Sequence, residues 1–385
     1  MNVSLGYFMT RLLVVSRACL NRYSQVKFEY IKQNMKVNED FIIIVPDRVF
    51  TRFRGKITLL PNDYLKDNFV QIKSYLNKMS LFLNPLFFSM KIYNYRSSIT
   101  YIEEDPHSLI GFQSVIFTKI FNPKSKIIFF IWDNLNRRPR FPLNILKFCL
   151  TKISLYYADF VVTGNSRANY LLHKEKNFKK KSIVLPQVGV DTYTYQDKKH
   201  YFKKYKGFTY IGYAGRMVEE KGLHTIIRAL EFISNSKIKL VLIGNGPLIQ
   251  SHIKKWNKVL KGNIIFIDTV PQSEIYKVLC KIDIFILASI SKPFWIEQFG
   301  HILAQAMAAG CACIGSNSGA IPEVLNNEEL IFPEGDHYLL AKILKRLIID
   351  KEFKKNCIKK SKRYARKNYS HNVIAKKYLD LFRKL

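Results

Sequence analysis

The sequence predicts an α/β protein made of two open-sheet halves, and three observations carry that expectation. Short apolar runs alternate with stretches of helical period along the chain, the pattern of βαβ units around parallel strands. A charged, aromatic and aperiodic segment, DTYTYQDKKHYFKKYKG at 191–207, interrupts the alternation near the middle. After it the scheme repeats. The length of 385 residues suits two domains at ~100–200 residues each. The expected boundaries are a first domain at 1–195, a linker at 196–207, a second domain at 208–368, and a last helix at 369–385 packing back on the first domain.

The elements follow in order. In the first half, strands are expected at 11–16 (RLLVVS), 40–46 (DFIIIVP), 98–104, 126–133 and 159–165, with helices at 108–121 and 142–157. In the second half, strands are expected at 208–214, 239–243, 263–268, 284–288, 311–315 and 330–332. A helix begins after Gly222, where Leu223, Ile226, Ile227 and Leu230 recur at i, i+3, i+4, i+7. Another takes Ser273 as N-cap and turns Ile275, Val278, Leu279 and Ile282 inward. Pro322 suits the first turn of a helix that starts after Gly319. The tail from Lys351 is basic and helical. Two such halves joined by one linker imply a cleft, and ligands of open parallel sheets bind outside the carboxyl ends of the strands.

Composition narrows the function classes. With 48% apolar and 14% aromatic residues the chain can bury sizeable cores, which excludes global disorder. Its 62 Lys+Arg against 29 Asp+Glu give a net charge of +33. That field favours a polyanionic partner: a lipid headgroup surface, nucleic acid or a phosphorylated substrate. Richness in Lys, Asn, Ile, Phe and Tyr is also what an AT-rich genome produces, so part of the basicity has that source. The six cysteines, Cys19, Cys149, Cys280, Cys311, Cys313 and Cys357, form no C-x-x-C pair and no zinc knuckle. Cys311 and Cys313 share one strand face as inert buried thiols, and this usage fits a reducing compartment. Arg11 and Arg17 interrupt the opening apolar stretch, which lacks the shape of a signal peptide. No run reaches the ~18–20 apolar residues of a membrane span.

Three stretches carry chemistry. Gly215-Arg216-Met217-Val218-Glu219-Glu220-Lys221-Gly222 follows a strand and opens a helix. An Arg fork, a Lys point charge and free helical N–H groups are what a pyrophosphate needs. A solvated loop with an incidental salt bridge has the same spacing, and both readings stay open. In the second stretch, from Trp295 to Gly310, a loop runs straight into a helix. Glu297 sits at the loop tip, the amides of Gln298 to His301 face an anion, and Gln305 points into the cleft from an otherwise apolar helix. The competing reading is a capping carboxylate and a surface glutamine. The third, Ser316-Asn317-Ser318-Gly319-Ala320-Ile321-Pro322-Glu323, places a glycine-bearing helix start after another strand, a second anion site, with Glu323 complementing the dipole.

Taken together, Ala214-Gly215-Arg216 with Lys221-Gly222, Gly244-Asn245-Gly246-Pro247, Glu297-Gln298-Phe299-Gly300 with Ala306-Met307-Ala308-Ala309-Gly310, and Ser318-Gly319-Ala320-Ile321-Pro322-Glu323-Val324 resemble family 4 (group 1) glycosyltransferases over roughly 208–350. The first half resembles the family's acceptor domain through Glu103-Glu104-Asp105-Pro106-His107-Ser108, Trp132-Asp133-Asn134 and Leu185-Pro186-Gln187-Val188-Gly189-Val190-Asp191. The resemblance implies the GT-B fold: two Rossmann-like α/β/α domains facing a central cleft, a nucleotide-sugar held mostly by the second, and transfer with retention at the anomeric carbon. It implies that Arg216 and Lys221 bind the donor phosphates and stabilise the departing diphosphate. It places Glu297 on the donor sugar, with Gly215, Gln298, Phe299, Gly300 and Gly319 around the donor and Gln305 at the ribose hydroxyls. Fixed cations meet the charge that develops on the leaving oxygen, so no metal and no cofactor is expected. The sequence holds no Asp-x-Asp pair for a divalent ion.

Two positions depart from the family's pattern. Gln305 stands where a Glu is usual, and an amide holds vicinal hydroxyls less strongly than a carboxylate. Trp132 stands where many members have a His. His107 and Asp133, each at the end of a first-domain strand, are the acceptor-side candidates. Basic amphipathic windows at 65–96 (Lys73, Lys78, Lys91) and 137–157 (Arg137, Arg138, Arg140, Lys147, Lys152) suit an anionic membrane surface. They also read as helices with solvated Lys faces, and 174–181 and 351–367 as plain solvated runs.

The resulting expectation is an enzyme at the cytoplasmic membrane face. It moves a sugar from a UDP- or GDP-sugar to a glycan or lipid-linked acceptor in polysaccharide, lipopolysaccharide or glycolipid synthesis. A second class is a GT-B protein without transferase activity, an accessory subunit or epimerase. A third, nucleic-acid binding, rests on charge alone, and no RNP-like, helix-turn-helix or zinc-finger pattern supports it.

Overall fold

The computed structural model describes residues 10–51, 55–75, 82–135, 143–192, 201–233 and 237–385. Part of the expected linker (196–200), the cations Arg137, Arg138 and Arg140, and Lys78 lie outside the described residues. The chain divides into two units, Met1–Gly189 with His371–Leu385, and Val190–Ser370.

The first unit is built on a seven-stranded parallel sheet. Its strands are β1 (Arg11–Val15), β2 (Asp40–Pro46), β3 (Phe69–Ile72), β4 (Ile99–Ile102), β5 (Lys126–Ile131), β6 (Phe160–Thr163) and β7 (Ser182–Val184), in the order β7-β6-β5-β4-β1-β2-β3. Val14 lies beside Ile43 on one side and Tyr101 on the other. Leu12, Leu13, Val14 and Val15 are wholly buried, which is why these strands read as continuous apolar runs rather than alternating ones. The helices between them are α1 (Arg22–Asn34), α2 (Pro85–Tyr95), α3 (Leu109–Phe121), α4 (Leu143–Tyr157) and α5 (Ser166–Lys174). Side chains of Asn21, Asn84, Ser108 and Asn165 accept backbone N–H groups at the starts of α1, α2, α3 and α5. Two small antiparallel ladders, Val49–Thr51 with Gly55–Ile57 and Ser74–Tyr75 with Phe82–Leu83, were not expected. β4 and β5 stop two residues earlier than expected, at Ile102 and Ile131, so Glu103, Glu104 and Asp133 lie beyond the strand ends.

The second unit carries six parallel strands: β8 (Thr209–Ala214), β9 (Ile238–Ile243), β10 (Ile264–Ile267), β11 (Ile284–Leu287), β12 (Ala312–Ser316) and β13 (Ile331–Phe332). Their order is β10-β9-β8-β11-β12-β13, the doubly wound 3-2-1-4-5-6 arrangement that the first unit also follows and extends by one strand. Its helices are α6 (Leu223–Ile233), α7 (Pro247–Val259), α8 (Ile275–Leu279), α9 (His301–Ala309), α10 (Ile321–Leu325), α11 (His337–Ile349) and α12 (Lys351–Tyr369). Ser273 does not cap α8. A turn closed by the Glu274 N–H on the Pro271 carbonyl (2.9 Å) delays the helix, and Glu274 takes the N-cap position without a side-chain bond. Pro322 does fall in the first turn of α10. Cys311 and Cys313 are wholly buried, with thiols pushed up by burial.

The last helix, α13 (His371–Lys384), returns to the first unit. Its Ile374, Tyr378, Leu379 and Phe382 join the core formed by Phe28, Val14 and Tyr101.

Candidate functional site

In a doubly wound sheet the ligand crevice opens where neighbouring strands connect in opposite directions. In the second unit that place lies between β8 and β11. The loop after β8 carries Gly215, Arg216 and Lys221, and the loop after β11 carries Ser289, Trp295 and Glu297.

Lys221 ends a short 3-10 turn, Glu219–Lys221, which is terminated by Gly222 at φ +68. A Cβ on Gly222 would stand 1.8 Å from the Ala288 carbonyl oxygen, so the β8 loop passes directly under the end of β11. The Ile290 N–H bonds the Glu220 carbonyl at 2.8 Å and ties the two loops together. Lys221 Nζ then meets Glu297 Oε2 at 2.7 Å and lies 4.5 Å from the centre of the Trp295 ring. Ser289 Oγ donates to the same Glu297 oxygen at 2.7 Å. Both charged side chains are largely buried, at 15% and 10% exposure, so each needs the other. Gly319, at φ +52, packs against the Glu297 backbone, where a Cβ would stand 2.0 Å from its carbonyl oxygen. That same oxygen accepts the Ala320 N–H at 3.1 Å.

Arg216 is more open, at 48% exposure, with Glu220 3.9 Å away. The buried Tyr213 hydroxyl fixes its backbone by donating to the Arg216 carbonyl at 2.7 Å. Gln298 is exposed. Phe299 is buried, edge-on against Tyr369, so its side chain packs the unit. Gly300 caps α9 at φ +73. Gln305 is 4% exposed, and its Oε1 has no partner among the described residues: a buried acceptor on α9 left unsatisfied. The reading of Gln305 as a surface glutamine is therefore corrected. The stretch at 316–323 opens only the five-residue α10.

The sequence brought Lys221 and Glu297 forward by spacing and resemblance. Ser289 was missed: a serine just past a strand end carries no signal of its own. Trp295 lay within a quoted stretch, but its place over Lys221 depends on the antiparallel bridge of Lys292 with Trp295.

In the first unit, Asp133 lies two residues beyond β5. It accepts the Leu135 N–H at 3.3 Å and faces Lys176 Nζ at 3.9 Å. His107 sits just before the start of α3. Burial lowers its pKa, against the raising influence of Asp105 and Asp133. Trp132 Nε1 donates to Gln187 Oε1 at 2.8 Å, and its ring fills the space a Cβ on Gly164 would need. At this position a packed indole stands in place of a titratable ring.

Residues 195–364 match the family model described as glycosyl transferases group 1. That segment belongs to the group 1 glycosyltransferases. The group 1 segment contains Arg216, Lys221, Glu297 and Gln305. The chain is 29% identical over 129 residues to the phosphatidylinositol N-acetylglucosaminyltransferase GPI3 subunit of Saccharomyces cerevisiae, a match covering 31% of this chain and 26% of that protein. It is 25% identical over 175 residues to the capsular polysaccharide biosynthesis glycosyltransferase CapM of Staphylococcus aureus, covering 43% of each. The chain thus spans less than half the length of these curated relatives. Among solved structures, HepE from Anabaena in complex with UDP aligns with a TM-score of 0.71 at 13% identity, over 98% of this chain and 100% of that one. The fold class is GT-B, two Rossmann-like α/β/α units, with the group 1 segment coinciding with most of the second.

Proposed function

We propose that this chain is a retaining, metal-independent glycosyltransferase that moves a sugar from a UDP- or GDP-sugar to a glycan or lipid-linked acceptor. The observation that carries the reading is the buried Lys221–Glu297–Ser289 cluster at the switch point of a group 1 segment. Lys221, held by Glu297, whose carboxylate Ser289 fixes in turn, stands ready to exchange one carboxylate oxygen for a phosphate oxygen. Arg216, on the same loop and partly open, adds a second cation to a diphosphate. Departure of a nucleoside diphosphate builds negative charge on the oxygen that leaves the anomeric carbon, and preorganised cations stabilise it without reorganising. With Lys221 drawn to the phosphates, the Glu297 carboxylate is released toward the sugar hydroxyls. Gln305 offers an amide to the ribose, with Gly215, Gln298, Phe299, Gly300 and Gly319 shaping the walls. Two cations on one loop and the absence of an Asp-x-Asp pair in the sequence support catalysis without a divalent ion.

A lipid-linked acceptor, met as a peripheral protein on a cytoplasmic membrane face, is supported by the surface of the first unit. On α2, Leu86, Phe87, Met90 and Tyr93 are exposed beside Lys91. On α4, Ile145, Leu146, Phe148 and Tyr156 are exposed beside Lys152. Such mixed faces bind anionic interfaces. Among the described residues no helix is long and apolar enough to cross a membrane. The name of the yeast relative includes phosphatidylinositol, which agrees with this acceptor class.

The test is nucleotide release from a panel of UDP-, GDP- and ADP-sugars by wild type and Lys221→Ala. Release of one nucleotide is expected, reduced about a hundredfold or more by the substitution. Equal release by both would remove Lys221 from the chemistry. Gln305, an amide where the family pattern has a carboxylate, favours one second reading, a GT-B subunit that binds nucleotide-sugar without turning it over. Binding of a donor with no release would select it.

A further inference from the structure

The first unit has its own switch point, between β1 and β4. Ser16 and Arg17 leave β1 there, and Glu103 and Glu104 leave β4. Both glutamates are buried, at 7% and 4% exposure, and a buried carboxylate persists only when its oxygens are satisfied. Glu103 is satisfied by Lys27 and by Ser16 Oγ at 2.9 Å. Glu104 accepts the Arg17 backbone N–H at 2.8 Å and Arg17 Nε–H at 2.6 Å.

How Arg17 spends its donors is informative. The backbone and Nε are fixed on Glu104, while Nη1 and Nη2 have no acceptor among the described residues. The side chain keeps 30% exposure, whereas that of Glu104 keeps 1%. A buried carboxylate therefore locks the inner edge of the guanidinium just beyond the carboxyl ends of β1 and β4, and leaves the terminal nitrogens uncommitted among the described residues. Those nitrogens can take two oxygens of a phosphate in parallel. The second unit repeats the arrangement: there too a cation from the loop after the first strand is held by a glutamate from the loop after the fourth. We infer that the β1/β4 crevice is a phosphate-binding site in which Arg17, positioned by Glu104, receives a phosphate ester carried by the acceptor. The word acceptor rests on the transferase reading above; the phosphate site does not.

A lipid headgroup and a soluble sugar phosphate offer the same chemistry, so the experiment has two arms. Calorimetry compares glucose 6-phosphate with glucose. Flotation compares vesicles of phosphatidylcholine containing phosphatidylinositol with vesicles of phosphatidylcholine alone. Wild type is expected to prefer the phosphate-bearing probe in one arm, and that arm identifies the source. Arg17→Ala is expected to weaken that binding about tenfold or more, and Arg17→Lys, which keeps the charge but loses the fork, severalfold. Arg17→Gln with Glu104→Gln leaves no buried charge unpaired, so it reports the loss even if Arg17→Ala fails to fold. Binding unchanged in all three variants, or no preference in either arm, overturns the proposal. UDP binding by the wild-type chain is measured in parallel. A phosphate response without UDP binding would sink the donor-site reading and leave this site standing.

Discussion

Burial pushes the Glu104 carboxyl up to about 7, against the lowering pull of the Arg17 charge and its backbone N–H; the neighbouring Asp105 adds to the rise. Between the ordinary value of 4.5 and about 7, the folded chain holds a proton that the unfolded chain has released. This group's contribution is thus complete below about 4.5 and is lost as pH rises through about 7. Glu104→Gln fixes the neutral form. In urea unfolding from pH 5 to 8, the variant should gain on wild type as pH rises, and parallel curves would contradict the assignment. Gly319 offers a second check. Gly319→Ala meets the Glu297 carbonyl oxygen, whereas Gly335→Ala, also at positive φ (+81), meets nothing within 4 Å. Both bear the left-handed backbone cost of roughly 1–2 kcal/mol. Only the first should displace Glu297 and weaken UDP binding as well as lower the melting temperature. At this scale the sequence was legible as far as charged side chains on glycine-punctuated loops, of which the structure brings Lys221 and Glu297 together while Arg216 stays open. It was not legible where role depends on folded neighbours: Ser289 and Arg17 have ordinary surroundings in the chain, and Trp132 shows its function only against Gly164 and Gln187.

Among the elements, α1 illustrates why a helix escapes sequence reading. Its buried face includes Gln25 and Lys27 alongside Phe28 and Ile31, so the apolar period is broken at core positions. Lys27 is wholly buried, paired with Glu103 and surrounded by the rings of Phe28, Tyr101 and Tyr378, the last on α13. Removing one partner strands a buried charge, so Lys27→Met should cost about 3–5 kcal/mol, while adding Glu103→Gln should restore most of it. Urea midpoints of the single and double variants measure this, and equal losses would show that the rings rather than the charge pair hold α1. The strands were legible because parallel strands buried on both faces read as unbroken apolar runs. The small ladders of 49–51 with 55–57 and of 74–75 with 82–83 were not, since two- and three-residue strands leave no period to detect.

For the whole molecule, the alternation of apolar runs and helical periods was enough to establish the α/β class, and the motif spacing pointed to the segment that matches the group 1 family model. The distribution of thiols tests the packing of both units together. Of six cysteines, Cys149 and Cys280 are exposed, while Cys19, Cys311, Cys313 and Cys357 are buried. An aromatic disulfide reagent should modify two thiols rapidly in the native protein and the other four only on unfolding. Rapid reaction of more than two would mean that a core is open. A last consequence concerns the order of synthesis. Val190 and Ser370, the two ends of the second unit, are joined by a β-bridge, with the Val190 N–H on the Tyr369 carbonyl at 2.7 Å. The second unit is thus a closed excursion within the first. A ribosome makes all seven strands of the first sheet, then all of the second unit, and only then α13, whose Tyr378 and Phe382 cover Tyr101. Until that final helix emerges, the first unit waits with part of its core uncovered, so the unit begun first is the last to be completed.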